Sequence, residues 1–67
     1  MSDFIDRLKV ERNELKDKLD KLNAFIHGDN FEKVDRRQQH LLIIQAEHMK
    51  NYLEILSTRL WLLHGNK

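Results

Sequence analysis

No cysteine and no proline occur in this 67-residue chain, and only two glycines do. The first absence excludes a disulfide framework, the usual staple of a small secreted domain, and fits a reducing cytosol. The second removes the strongest helix breaker, and Gly28 and Gly65 alone leave little room for turns. Aromatic residues are sparse: three Phe, one Tyr and one Trp. Neither sign of charge dominates, since twelve Lys and Arg face eleven Asp and Glu for a net +1. A general binder of duplex DNA carries a basic surplus, so that partner is not expected, whereas a focused anion site remains compatible. No apolar run approaches the roughly 18 residues of a membrane span. Met1-Ser2-Asp3-Phe4 lacks the basic segment and apolar core of a signal peptide. A cytoplasmic location is expected.

What is present is helical periodicity. Leu42, Ala46, Met49, Leu53, Leu56, Leu60 and Leu63 recur at steps of four and three, a heptad seam. One position earlier runs a second seam: Leu41, Gln45, His48, Tyr52, Ile55, Arg59 and Leu62. Residues one apart on an α-helix lie about 100° apart round its axis, so the two seams make one broad face. A single partner helix covers one seam. The other needs a second partner, and the chain holds only one more helix.

That helix carries Ile5, Leu8, Leu15, Leu19, Leu22 and Ile26 at helical spacing, with Arg12 in the remaining seam position. Ser2 or Asp3 can cap its first turn. Glu14–Lys18 and Asp17–Lys21 are i,i+4 pairs in the favourable order. It is expected over about 3–27, with Gly28 in the left-handed position that closes many helices. A connection over 28–34 carries Asp29-Asn30 as turn formers, and a helical turn at Phe31–Val34 is open to it. Helix 2 is expected over about 35–64, with Asp35 and Gln38 in capping-box spacing and Gly65 as its stop. The whole chain then reads as one domain, an all-α antiparallel hairpin of two long helices. Leu22 faces Ala46, Leu19 Met49, Leu15 Leu53 and Leu8 Leu60, and Arg12 falls near Leu56 and Arg59. A chain this short buries only about 60% of its unfolded surface, so the hairpin is expected to complete itself by homo-oligomerisation.

Polar residues inside the seams are the candidates for function. Arg12 either reaches a carboxylate and fixes register, or holds an anion, because its planar fork matches phosphate oxygens. Arg59 carries the same two readings. Tyr52 and His48 lie one turn apart on Arg59's seam, and an aromatic ring beside an arginine suits a stacked base and its phosphate. A core tyrosine with a satisfied hydroxyl is the alternative. His27, His40, His48 and His64 contain no i,i+4 pair, so no metal site is expected, and no cofactor either. Trp61 lies off both seams, which suits an oligomer contact or the end of a bundle. Ser2, Ser57 and Thr58 have no base placed beside them by any motif, and no Gly-rich phosphate loop exists. Enzyme activity is not expected.

Arg7, Glu11, Glu14-Leu15, Lys18, Lys21-Leu22 and Phe25-Ile26, followed by Phe31, Val34 and Gln39, form a familiar pattern. Leu41-Leu42, Gln45, Met49, Tyr52, Leu56 and Arg59-Leu60 complete it. It resembles a group of small bacteriophage helical-hairpin proteins, some relatives of which are anti-defence sponges for cyclic-oligonucleotide alarm signals. The resemblance implies a homo-oligomer, a hexamer in the sponges, that binds a cyclic di- or trinucleotide whole between protomers and does not cleave it. Asn13-Glu14-Leu15-Lys16 is similar to the sponges' segment with a phosphate-contacting lysine, which makes Lys16 a candidate. Arg59 lies near where an arginine of the sponges contacts cyclic trinucleotides. The sponges also carry an N-terminal tyrosine that stacks on a base; here Phe4 stands nearest to that role, and a different ligand or site stays open.

The reading that combines these is a non-enzymatic sponge using Arg12, Lys16, His48, Tyr52 and Arg59. An adaptor bundle that docks a host or phage helix on the doubled seam is the alternative. A third is a small RNA-binding hairpin, for which Lys33, Arg36 and Arg37 supply a basic cluster at the turn.

Overall fold

A computed structural model describes residues 2–64, with side chains from Asp3 onward. Helix α1 spans Ser2–Ile26, a 3-10 turn spans Asp29–Lys33, and helix α2 spans Arg36–Leu63. No strand occurs among the described residues. The chain is an all-helical hairpin whose helices begin and end within a residue or so of the expected limits. No described helix is long and apolar enough to cross a membrane.

The first seam forms the core. Leu8, Leu15, Leu19, Leu56 and Leu60 are buried, and Leu56 is the most enclosed at 1% exposure. Ile5, Met49 and Leu53 pack against this cluster half-buried. The start of α1 thus meets the end of α2, and Leu19 and Ile26 near the end of α1 share a groove with Ile43 and Ala46 near the start of α2. This is the antiparallel order the apolar spacing predicts. Leu63 ends the seam exposed, because Leu60 is the last residue on that row to be buried against α1. The whole second seam, from Leu41 to Leu62, is exposed.

Three local expectations are corrected. Gly28 is extended, at φ −91° and ψ 173°, and no left-handed residue closes α1. Instead the His27 N–H donates to Asn23 O and the Gly28 N–H to Phe25 O, tightening the last turn. A Cβ at Gly28 would lie 3.2 Å from Ala24 O, so close backbone approach is the reason for glycine here. Asp35 occupies the N-cap of α2 but makes no side-chain cap bond, so the capping box with Gln38 does not form. The clamp is Gln39, whose Nε2 donates to Phe31 O at 3.0 Å and Val34 O at 2.8 Å. Phe31 packs edge-on against Phe25 with ring centroids 6.1 Å apart, which ties the turn back to α1. Of the expected helix pairs Asp17–Lys21 closes at 3.1 Å, while Asp3–Arg7 and Lys16–Asp20 form in place of Glu14–Lys18. Gly65 and the Ser2 side chain lie outside what is described.

Candidate functional site, a basic flank and an apolar flank

The core row divides the outside of the hairpin into two flanks. On one, Lys9, Arg12 and Lys16 follow each other on α1 at helical spacing, and Ser57, Trp61 and His64 do so on α2. Lys9, Arg12, Ser57, Leu60, Trp61 and His64 line a shared groove of about 380 Å³. No carboxylate among the described residues lines it. Volumes of roughly 300–1,000 Å³ are typical of small-molecule sites. Arg12 is half-buried and donates Nε–H to the neighbouring Asn13 Oδ1 at 2.8 Å, which holds the guanidinium against the helix. Arg12 and the buried Leu60 both line this groove, so the half-buried arginine sits at the edge of the core with open space for its charge.

Lys16 continues the cationic row one turn on and pairs with Asp20 at 3.1 Å. Both side chains are well exposed, and an exposed pair of this kind contributes at most about 1 kcal/mol. Exchanging Asp20 for a phosphate oxygen therefore costs Lys16 little. Trp61, 53% exposed, borders the same groove as Lys9 and Arg12.

The opposite flank holds His48, Tyr52 and Arg59. His48 and Tyr52 line an open groove of about 680 Å³ with Leu41, Gln45 and Met49. Arg59 lies further along, in shallower grooves with Ile55 and Thr58 on one side and Phe4 and Leu62 on the other. Tyr52 donates its hydroxyl to Glu11 of α1, so its oxygen is held across the hairpin while the ring stays on the exposed row. Arg12 and Arg59 line different grooves and share none. The reason is angular: Arg59 and Trp61 lie about 200° apart round α2, so a residue beside one turns away from the other.

Five candidates from the sequence are accordingly sorted into two sets, Arg12 with Lys16 and His48 with Tyr52 and Arg59. Lys9, Ser57 and His64 were not among the candidates, and Trp61 only as an oligomer or bundle-end residue. Their signal was present all the same, as a basic row and a polar-aromatic row at matching helical steps on the two helices.

With this geometry in place the comparison with protein families becomes specific. A family model described as Sequestin matches residues 2–62. The chain belongs to the Sequestin family. The match covers both helices and their connection, so both flanks lie within it. A Sequestin-family assignment agrees with the resemblance to sequestering hairpins seen in the residue pattern. No curated protein and no solved structure matches the chain.

Proposed function

We propose that this Sequestin-family hairpin binds a small phosphate-bearing nucleotide signal, in the first place a cyclic di- or trinucleotide, and holds it without cleaving it. The observation that carries the reading is the groove of Lys9, Arg12, Ser57, Trp61 and His64, cationic, lined by no carboxylate among the described residues and bordered by a half-exposed tryptophan. Each part suits a different part of a nucleotide. Arg12 offers a planar pair of donors to phosphate oxygens, and the lysines add point charges along the same row. The indole offers a surface on which a base stacks, an interaction worth about 1–3 kcal/mol per base. A net charge near zero, with Lys9, Arg12 and Lys16 as a short basic row, favours a compact anion over a long polyanion.

Sequestration requires binding, orientation and retention, and no bond need be broken. An alarm signal removed from solution cannot reach its receptor, which is the use a phage-encoded anti-defence protein has for such a site. An adaptor role would rest instead on the exposed seam of α2.

The test is native mass spectrometry and calorimetry of the full chain with cyclic di- and trinucleotides, linear dinucleotides and nucleoside diphosphates. Stoichiometric uptake of one class with the ligand mass intact is expected, together with at least a tenfold weaker affinity in Arg12→Glu at unchanged helicity. No uptake across the panel, release of a cleaved product, or full affinity in Arg12→Glu would overturn the reading.

A further inference from the structure

A second opening lies nearer the turn, a notch of about 340 Å³ between the two helices. Its apolar lining is Leu19 and Ile26 from α1 with Ile43 and Ala46 from α2. Ala46 is the reason for the space. Leu42, Met49, Leu53, Leu56 and Leu60 fill the other positions of that row with long side chains, and Ala46 alone does not. Interiors are otherwise close-packed, so a gap of this size at the edge of a small core is open to an occupant.

Four polar side chains line the same notch: Asn23 and His27 from α1, Glu47 and Lys50 from α2. All four are exposed. The His27 Nδ1–H donates to Asn23 O at 2.8 Å, which holds the ring at the edge of the notch. Glu47 and Lys50 stand three apart on one helix, yet none of the ion pairs among the described residues uses either. A carboxylate, an ammonium and an amide are thus uncommitted around an apolar floor. The notch also lies in line with the basic groove, since Asn23 follows Lys16 by seven residues, about 10 Å along α1.

An apolar floor suits the face of a planar ring, and the rim then reads its edges. An ionised carboxylate accepts at two oxygens and donates nothing. Guanine presents two adjacent donors, its ring N–H and its amino group, and so matches both oxygens. Its carbonyl and the neighbouring ring nitrogen accept from a lysine or an amide. Adenine sets an acceptor nitrogen beside its amino group, which turns a lone pair toward the carboxylate. Cytosine does the same, and its single ring covers less of the floor. We infer that the notch between Asn23 and Glu47 is a base pocket selective for guanine, with Glu47 as the residue that sets the preference. The inference rests on the nucleotide-sequestration reading and adds the base that is selected.

Amide NMR titrations of the labelled full chain with guanosine, GMP, IMP and AMP test it. Guanosine carries no phosphate and reads the notch without the basic groove. Its expected shifts fall on Asn23, His27, Glu47 and Lys50. IMP lacks the amino group of GMP and should bind about tenfold more weakly, the loss of one hydrogen bond to a charged group. AMP should be at least as weak. Glu47→Gln should bring GMP and AMP to within about twofold of each other, and Ala46→Leu should block guanosine at unchanged helicity. Equal binding of GMP and AMP by the wild type, guanosine shifts away from the notch, or a preference retained in Glu47→Gln would overturn the inference. Guanosine binding should survive Arg12→Glu, which separates the two grooves. Nucleotide uptake that leaves the notch unperturbed refutes this pocket alone. Guanosine in the notch with no uptake of any phosphate-bearing ligand supports the pocket and refutes the sequestration reading.

Discussion

At the scale of single residues, the interior of this hairpin is a short list, and its stability is unevenly shared. Leu56 shares the core cluster with Leu8 and Leu15 of α1 and, at 1% exposure, is the most enclosed of the described side chains. Truncating a buried leucine removes its transfer free energy and leaves a cavity, together about 2–5 kcal/mol. A chain of this size has only about 3–10 kcal/mol in total, so Leu56→Ala should unfold much of the population at ambient temperature. Val10 is apolar too, but 54% exposed, and Val10→Ala should stay within about 0.5 kcal/mol of wild type. Urea titrations followed by far-ultraviolet circular dichroism read both, and a Leu56→Ala midpoint close to that of Val10→Ala would show that the core lies elsewhere. Arg12 and Lys16 belong to the same scale but to a different property. Their replacement by Gln should barely change stability, because Arg12 is bonded only to its neighbour Asn13 and Lys16 to an exposed Asp20. A loss of more than about 1 kcal/mol in either variant would mean that the cations are structural.

At the scale of elements, the connection between the helices is tied to α1 by the Phe25–Phe31 ring contact and to α2 by one side-chain clamp. Gln39 reaches back from the first turn of α2 to the carbonyls of Phe31 and Val34, whereas Asp35 makes no cap bond. Gln39→Ala leaves those carbonyls without their side-chain donor and should destabilise the hairpin by about 1–2 kcal/mol. Asp35→Ala should cost less than the roughly 1 kcal/mol usual for a lost N-cap. Thermal melts of the two variants check the order, and a larger effect at Asp35 would reverse the assignment of the clamp. These elements also show what a sequence can and cannot convey. Helix limits, antiparallel order and the leucines of the core follow from spacing alone, because burial on a helix is periodic. Gln39 was not legible as a clamp, since its acceptors are carbonyls whose positions exist only once the 3-10 turn is formed. Gly28 was misplaced for a related reason: a glycine after a helix signals the left-handed closure, while here the constraint is a backbone oxygen 3.2 Å from where a Cβ would sit. That Arg12 and Arg59 line different grooves depends on which side of Leu56 and Leu60 each helix presents, a rotation that linear register pairing does not contain.

At the scale of the molecule, the hairpin is a rod of 46 × 17 × 15 Å with a radius of gyration of 15.1 Å. A compact chain of this length would have a radius near about 11 Å. Two helices side by side have one line of contact, so each keeps a face that a third or fourth helix would cover in a bundle. The row from Leu41 to Leu62 is that face on α2. Completing the burial of its four half-exposed large side chains in both copies yields roughly 6–12 kcal/mol, at about 1.5–3 kcal/mol per fully buried side chain. Association itself costs an estimated 4–15 kcal/mol. The two ranges overlap, so any pairing of two copies through this row would be in reversible exchange under laboratory concentrations and not obligate. Folding and association are then linked, and the melting temperature must rise with protein concentration. Between micromolar and millimolar chain, wild-type protein should show that rise, and Ile55→Lys should melt at a constant, lower temperature. A concentration-independent melt for both would mean that the core leucines alone hold the fold, and that the exposed row serves a partner other than a second copy.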